Sequence, residues 1–220
     1  MDKKKAVLAI VVVFTLLLTA GTAAALPLDD VLAAVRYRSF GNTGGNEIYL
    51  GVGDLGVAAN RVEKGFTWVK PESYDVTFTY VPDGVNSKLV TTGDFGTLTY
   101  NLSSPLGYMN AFEIIVADRD ADSQVNFTNV SLTTLGGSIV ILGDFIGNNA
   151  FAFYEYMNDD LNDGFTFTGT IELSGPFSFS QELSRVEIKV GKVEVPEPAT
   201  ILLIGTGLFG LVGLRRKFRK

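Results

Sequence analysis

Apolar and polar residues alternate along most of the middle of this chain. The segments Tyr74–Val81 and Phe165–Leu173 show the alternation most clearly. A period of two is typical of β-strands that bury one face. The segments that we predict as strands are Tyr74–Val81, Val85–Thr92, Phe95–Leu102, Phe112–Ala117, Val125–Leu135, Ser138–Leu142, Ala150–Tyr156, Phe165–Leu173 and Leu183–Val190.

Gly, Asp and Asn residues separate these segments, as expected for turns. Between the two ends of the chain, only Leu28–Val35 suggests a helical turn. We therefore predict an all-β domain over residues 26–193, an antiparallel β-sandwich of jelly-roll type. In its last strand, Val186, Ile188 and Val190 share one face, and Gly191–Val195 reads as a short linker.

The first 25 residues have the pattern of a signal peptide. Lys3–Lys5 form a positive segment, Ala6–Ala20 are nearly all apolar, and Ala23 and Ala25 form an A-x-A cleavage site. We expect the Sec translocon to export the chain and signal peptidase to cut after Ala25. The alternative is an uncleaved N-terminal anchor.

The last residues resemble a membrane anchor. Residues 199–214 are predominantly apolar and would form a helix of roughly 24 Å, somewhat shorter than the hydrocarbon core of a bilayer. The basic tail, residues 215–220, would stop transfer on the cytoplasmic side of the inner membrane. Its charged residues are Arg215, Arg216, Lys217, Arg219 and Lys220.

A short motif precedes this apolar segment. Val195-Pro196-Glu197-Pro198-Ala199-Thr200, the apolar helix and the Arg-rich end together resemble the PEP-CTERM sorting domain, which would span residues 194–220. The resemblance implies that an exosortase, an integral-membrane transpeptidase-like protease of Gram-negative bacteria, recognises Pro196, Glu197 and Pro198. It also implies a link to exopolysaccharide and to biofilm or floc matrix. The alternative is an ordinary C-terminal anchor that is not processed.

The composition of residues 26–194 limits the reactions and ligands that this part of the chain could support. Residues 26–194 contain 10 Lys and Arg against 22 Asp and Glu, a net charge of −12, which argues against nucleic acid as a partner. The chain has no Cys and no His, which excludes disulfides, Ser-His-Asp triads and His-ligated metals. We therefore expect no enzyme. A glycan hydrolase that uses two carboxylates remains an alternative, with Glu155, Glu172, Glu182 and Glu187 as candidates.

One acidic loop has the spacing of a calcium site. Asp118, Asp120 and Asp122 place three carboxylates at alternate positions, and calcium requires six to eight oxygen ligands. Ser123 and Asn129 stand where an EF-hand has Gly and Glu. The alternative is a solvated turn in which Asp accepts hydrogen bonds from the backbone. Asn158–Gly164 is a second acidic loop, and no other cofactor is expected.

These observations predict an exported, exosortase-processed surface or extracellular-matrix protein. Its sandwich would be non-catalytic, structural or adhesive, and linked to exopolysaccharide or biofilm. The precursor would be anchored in the inner membrane, and the product would reach the cell envelope or the matrix. A carbohydrate-binding module of the same matrix is the main alternative. Trp68 could contact sugar in such a module, although a single Trp in a strand-like segment is more often a core residue.

Overall fold

A computed structural model of the chain describes residues 28–40, 46–69, 72–118, 122–147, 151–156, 161–177 and 184–194. Within these ranges, twelve β-strands are joined by loops and three single-turn 3₁₀ helices. The strands are β1 Asp30–Arg38, β2 Asn46–Gly51, β3 Arg61–Gly65, β4 Glu72–Val81, β5 Lys88–Gly93, β6 Gly96–Asn101, β7 Ala111–Ala117, β8 Gln124–Thr134, β9 Ile139–Ile146, β10 Phe151–Tyr156, β11 Phe165–Ser174 and β12 Arg185–Lys192. The 3₁₀ helices are Ala58–Asn60, Gly84–Asn86 and Leu161–Asp163.

The strands form two six-stranded antiparallel sheets. Sheet A has the order β10-β7-β12-β1-β2-β3, and sheet B has the order β6-β5-β4-β11-β8-β9. The predicted all-β class with antiparallel sheets is therefore confirmed. The pairs β1–β12, β4–β11, β7–β10 and β8–β9 are nested along the chain, which is the pairing pattern of a jelly roll. The hairpins β2–β3 and β5–β6 widen the two sheets.

The core lies between the sheets and is rich in aromatic rings. Phe112 of sheet A and Phe167 of sheet B have ring centroids 5.1 Å apart. The Tyr37 hydroxyl on β1 lies 2.6 Å from Thr91 Oγ1 on β5, so a hydrogen bond also links the two sheets. Trp68 is buried, and its Nε1 donates to the Arg38 carbonyl at 3.1 Å. Its interpretation as a core residue is confirmed, and the sugar-contact alternative is not supported.

The expected helical turn at Leu28–Val35 is wrong, because this segment enters β1. Ala33, Val35 and Tyr37 alternate toward the core, and β1 pairs with β12 on one side and β2 on the other. Backbone pairing on both sides fixes the extended conformation whatever the local apolar spacing. The strand predicted at Val85–Thr92 also begins later, at Lys88, because Gly84–Asn86 forms a 3₁₀ turn.

The interpretation of Gly191–Val195 as a linker is also wrong. Strand β12 continues through Gly191 to Lys192, next to an irregularity in the register between Val31 and Ala33. A Cβ on Gly191 would lie 1.8 Å from the Asp30 carbonyl oxygen, so β1 can approach this closely only because residue 191 is glycine.

The predicted signal peptide, residues 1–25, and the predicted membrane helix, residues 199–214, lie outside the described residues. Among the residues that are described, no helix is long and apolar enough to cross a bilayer.

Candidate functional site

The end of the last strand is held by a single buried side chain. The Val193 N–H donates to Asn110 Oδ1 at 2.9 Å, and Asn110 Nδ2 donates to the Val193 carbonyl at 3.1 Å. Both residues are buried. Asn110 directly precedes β7, and the register that places Ala111 opposite Gly191 brings it to this position. The chain therefore remains fixed one residue beyond β12.

The next residue, Glu194, is held by a residue from the start of the domain. The Glu194 N–H donates to Asp29 Oδ2 at 2.6 Å, and the Asp29 N–H donates to the Lys192 carbonyl at 2.9 Å. Asp29 directly precedes β1. The first and last described segments of the sandwich thus leave the domain side by side. We call Asn110, Asp29 and the backbone they hold at Val193 and Glu194 the exit clamp.

From Glu194 onward, the chain matches a known family model. Residues 194–217 match the family model described as the PEP-CTERM protein-sorting motif. The chain carries a PEP-CTERM sorting signal. The motif implies exosortase-dependent processing and an exported precursor anchored through its C-terminal signal. A comparison with curated proteins gives no match.

The PEP-CTERM sorting signal adjoins the folded domain. The match begins at Glu194, whose amide is held by Asp29, and Val195 alone separates Glu194 from Pro196. The predicted triplet Pro196, Glu197 and Pro198 lies outside the described residues. So do the predicted cleavage residues Ala23 and Ala25 and the five charges of the basic tail. Their roles stay predictions, and the structure contributes the geometry of the attachment point.

The exit clamp was missed by sequence reasoning. Asn110 and Asp29 are ordinary polar residues beside predicted strands, and nothing in their local sequence distinguishes them from turn residues. Their role appears only when β12 is placed between β1 and β7, since it depends on contacts between segments more than 80 residues apart. A sequence prediction of the strand order would have been needed to find them.

The acidic loop is described in part. Asp118 is buried, and its Oδ1 accepts hydrogen bonds from Ser123 Oγ at 2.9 Å and Ser184 Oγ at 3.4 Å. Asp122 is exposed, and Asp120 lies outside the described residues. No group of three or more acidic side chains in the described ranges is arranged to hold a metal ion. The calcium prediction stays untested, and the observed contacts of Asp118 are those of a residue that ties this loop to the start of β12.

Two of the four carboxylates considered for glycan hydrolysis, those of Glu172 and Glu187, have described side chains, and these two lie far apart. Glu187 lies on the outer face of sheet A, in ion pairs with Arg36 at 2.8 Å and Arg185 at 3.1 Å. Glu172 lies on the outer face of sheet B and accepts a hydrogen bond from Thr128 at 3.0 Å. The whole sandwich separates these two carboxylates, so they cannot act on one sugar ring. The side chains of Glu155 and Glu182 are not among those described.

A groove of about 380 Å³ next to Glu187 is also rich in carboxylates. Its lining includes Asp29 and Asp54. Asp29 accepts the Glu194 N–H, and Asp54 Oδ1 accepts the Gly56 N–H at 2.7 Å in a turn. Each of these carboxylates thus already has a structural partner. The observed chemistry of the groove is that of strand ends and a turn held by hydrogen bonds and ion pairs.

Proposed function

We propose that the protein is a structural or adhesive component of the cell surface or extracellular matrix. It is exported through the Sec translocon, held at the inner membrane by residues 199–214 and processed by an exosortase at Pro196, Glu197 and Pro198. Signal peptidase removes residues 1–25. The observation that carries the proposal is the PEP-CTERM motif that begins directly at the end of the last strand.

The chemistry of the sandwich supports a non-catalytic role. The chain has no His, which is the commonest general base in enzymes, and no Cys, which supplies the thiol nucleophile. Glu113 and Glu187, the buried carboxylates on β7 and β12, are engaged with Lys189 at 2.9 Å and with Arg36 at 2.8 Å. Pairs of this kind stabilise neighbouring strands rather than prepare a carboxylate for proton transfer.

The aromatic residues favour a structural role over a sugar-binding one. A module that binds glycans by stacking presents aromatic rings on its surface. Among the described side chains, Tyr108 is the one exposed aromatic residue, whereas Trp68, Phe40 and Phe66 pack against each other. We therefore propose that contact with exopolysaccharide, in a biofilm or a related matrix, involves polar surfaces of the sandwich and not a stacking site.

The exit clamp sets the orientation of the precursor. A chain spans at most about 3.6 Å per residue, so Pro196 lies within about 7 Å of Glu194. The end of the sandwich that carries Asp29 and Glu194 therefore faces the membrane, and the exosortase acts at the base of a folded domain. The described segments that precede β1 and follow β12 lie side by side at this end.

Variants of the full-length chain in a host that has the exosortase test this proposal. We expect Glu197→Ala to keep the chain in the membrane fraction and prevent its release, because the anchor stays and the triplet is lost. Glu63→Ala is the matched control, since Glu63 lies on the edge strand β3, outside the matched residues 194–217. Release of Glu197→Ala at the wild-type level would contradict the proposal.

A further inference from the structure

The outer edge of sheet B is an exposed apolar strand. Ile139 and Ile141 of β9 are 68% and 83% exposed, and Leu135 in the preceding turn is 75% exposed. The two isoleucines lie opposite Thr133 and Ser131 of β8, on the face that points away from the core. These side chains form an apolar surface beside the free edge of the sheet.

The backbone of β9 is hydrogen-bonded to a neighbouring strand on one side. In the described part of the chain, β9 is the last strand of sheet B and pairs with β8 alone. Alternate N–H and C=O groups of an edge strand point outward and can pair with another strand. Natural proteins usually protect such an edge with charged residues, proline or a bulge. The register between β8 and β9 becomes irregular beyond Ile141, and the regularly paired segment Ile139–Ile141 contains no charge and no proline.

Charge favours association at this edge over other surfaces. The domain carries a net charge of −12, so two copies repel each other over most of their surfaces. Asp144 is the one charged residue between Gln124 and Tyr154, and its Oδ1 accepts the Asn129 N–H at 2.8 Å. Strands β8 and β9 therefore carry a single charge between them, and a second copy meets less local charge repulsion at this edge than a domain of net charge −12 presents on average.

We propose that two copies of this chain associate edge to edge through β9. Antiparallel pairing about a two-fold axis at Val140 would place Ile139 of each copy opposite Ile141 of the other, on the same face. The contact would satisfy the outward backbone groups, cover four isoleucines and join two six-stranded sheets into one of twelve strands. This inference concerns the sandwich and does not depend on exosortase processing.

Cross-linking of the full-length chain in isolated membranes tests the contact. The chain has no Cys, so Ile141→Cys introduces the only thiol. A short bis-maleimide should convert this variant to a covalent dimer. Val85→Cys is the matched control, since Val85 is 79% exposed on the 3₁₀ turn before β5 and away from β9. Cross-linking of Ile141→Cys no faster than that of Val85→Cys would overturn the proposal.

Sedimentation velocity of the full-length chain in mild detergent gives an independent test. The fraction of wild-type chain that sediments as a dimer should rise with protein concentration. The double variant Ile139→Lys/Ile141→Lys should raise the dissociation constant of the dimer by about tenfold or more, because lysines protect edge strands from pairing. At protein concentrations low enough to keep both chains monomeric, the melting temperature should stay unchanged, since both side chains are then exposed. Val85→Lys should dimerise like wild type. A wild-type chain that stays monomeric, or lysine variants that dimerise as well as wild type, would overturn the proposal.

Discussion

Asn110 holds the backbone of Val193 through two hydrogen bonds, at 2.9 and 3.1 Å, in a buried position at the end of the last strand. The sorting signal begins at the next residue. The match to the sorting motif thus begins at a residue that the sandwich still holds in place.

We predict that Asn110→Ala destabilises the domain by about 1–3 kcal/mol, because it leaves a buried N–H and a buried carbonyl of Val193 without partners. Denaturant unfolding followed by Trp68 fluorescence measures this change. Asn101→Ala is the control, since Asn101 is exposed at the end of β6. Equal stability of the two variants would show that the exit clamp contributes nothing.

A separate prediction concerns Gly191, where β1 and β12 approach each other closely. Gly191→Ala places a Cβ 1.8 Å from the Asp30 carbonyl oxygen, so β1 must move, at a cost of about 3 kcal/mol. At Gly136, the nearest atom to an added Cβ is Thr134 Oγ1 at 3.9 Å. Gly136→Ala should therefore change stability by less than about 0.5 kcal/mol. Thermal melts that give the two variants the same midpoint would contradict this account of the β1–β12 contact.

The strands with clear alternation could be predicted from the sequence, because a half-buried strand selects apolar residues at every second position. Strand β1 could not. Leu28, Val31, Leu32 and Val35 have helical spacing, and pairing with β2 and β12 overrides it. Strand β3 is short and largely charged at the edge of sheet A, so it has no apolar pattern to detect.

One part of the candidate site could be predicted from the sequence and the other could not. The sorting motif could be predicted because its residues are contiguous and an exosortase would recognise them as a short segment. The exit clamp could not, because Asn110 and Asp29 act only through pairing between distant strands. The calcium prediction rested on the spacing of Asp118, Asp120 and Asp122, and spacing alone does not distinguish an ion site from a turn whose carboxylates accept hydrogen bonds from the protein.

Stability should fall at alkaline pH. Burial raises the pKa of the Tyr37 hydroxyl far above its ordinary value, and the hydrogen bond with Thr91 offsets only part of this rise. The unfolded chain loses this proton above about pH 10 while the folded chain keeps it, so stability is full below pH 10 and falls by about 1.4 kcal/mol per pH unit above it. Tyr37→Phe should show a slope in denaturant unfolding that is smaller by about half a proton at pH 10 and by nearly one proton at pH 11. An unchanged slope would contradict the assignment.

The acidic loop can be tested by thermal unfolding with added cations. Asp118 already accepts hydrogen bonds from Ser123 and Ser184, so we expect calcium to raise the melting temperature no more than sodium at equal ionic strength. Asp118→Ala should lower stability by about 1–3 kcal/mol with or without calcium. A calcium-specific rise of roughly 3–10 °C that disappears in the triple Asp→Asn variant of residues 118, 120 and 122 would instead establish a calcium site.

The central claim is that an exosortase processes this chain at the base of its sandwich. Intact mass spectrometry of the protein released by a host with the exosortase tests it most directly. We predict a chain that begins at Leu26 and ends at or close to Pro196, Glu197 and Pro198, without residues 199–220. A released protein that still carries the basic tail through Lys220 would contradict the account.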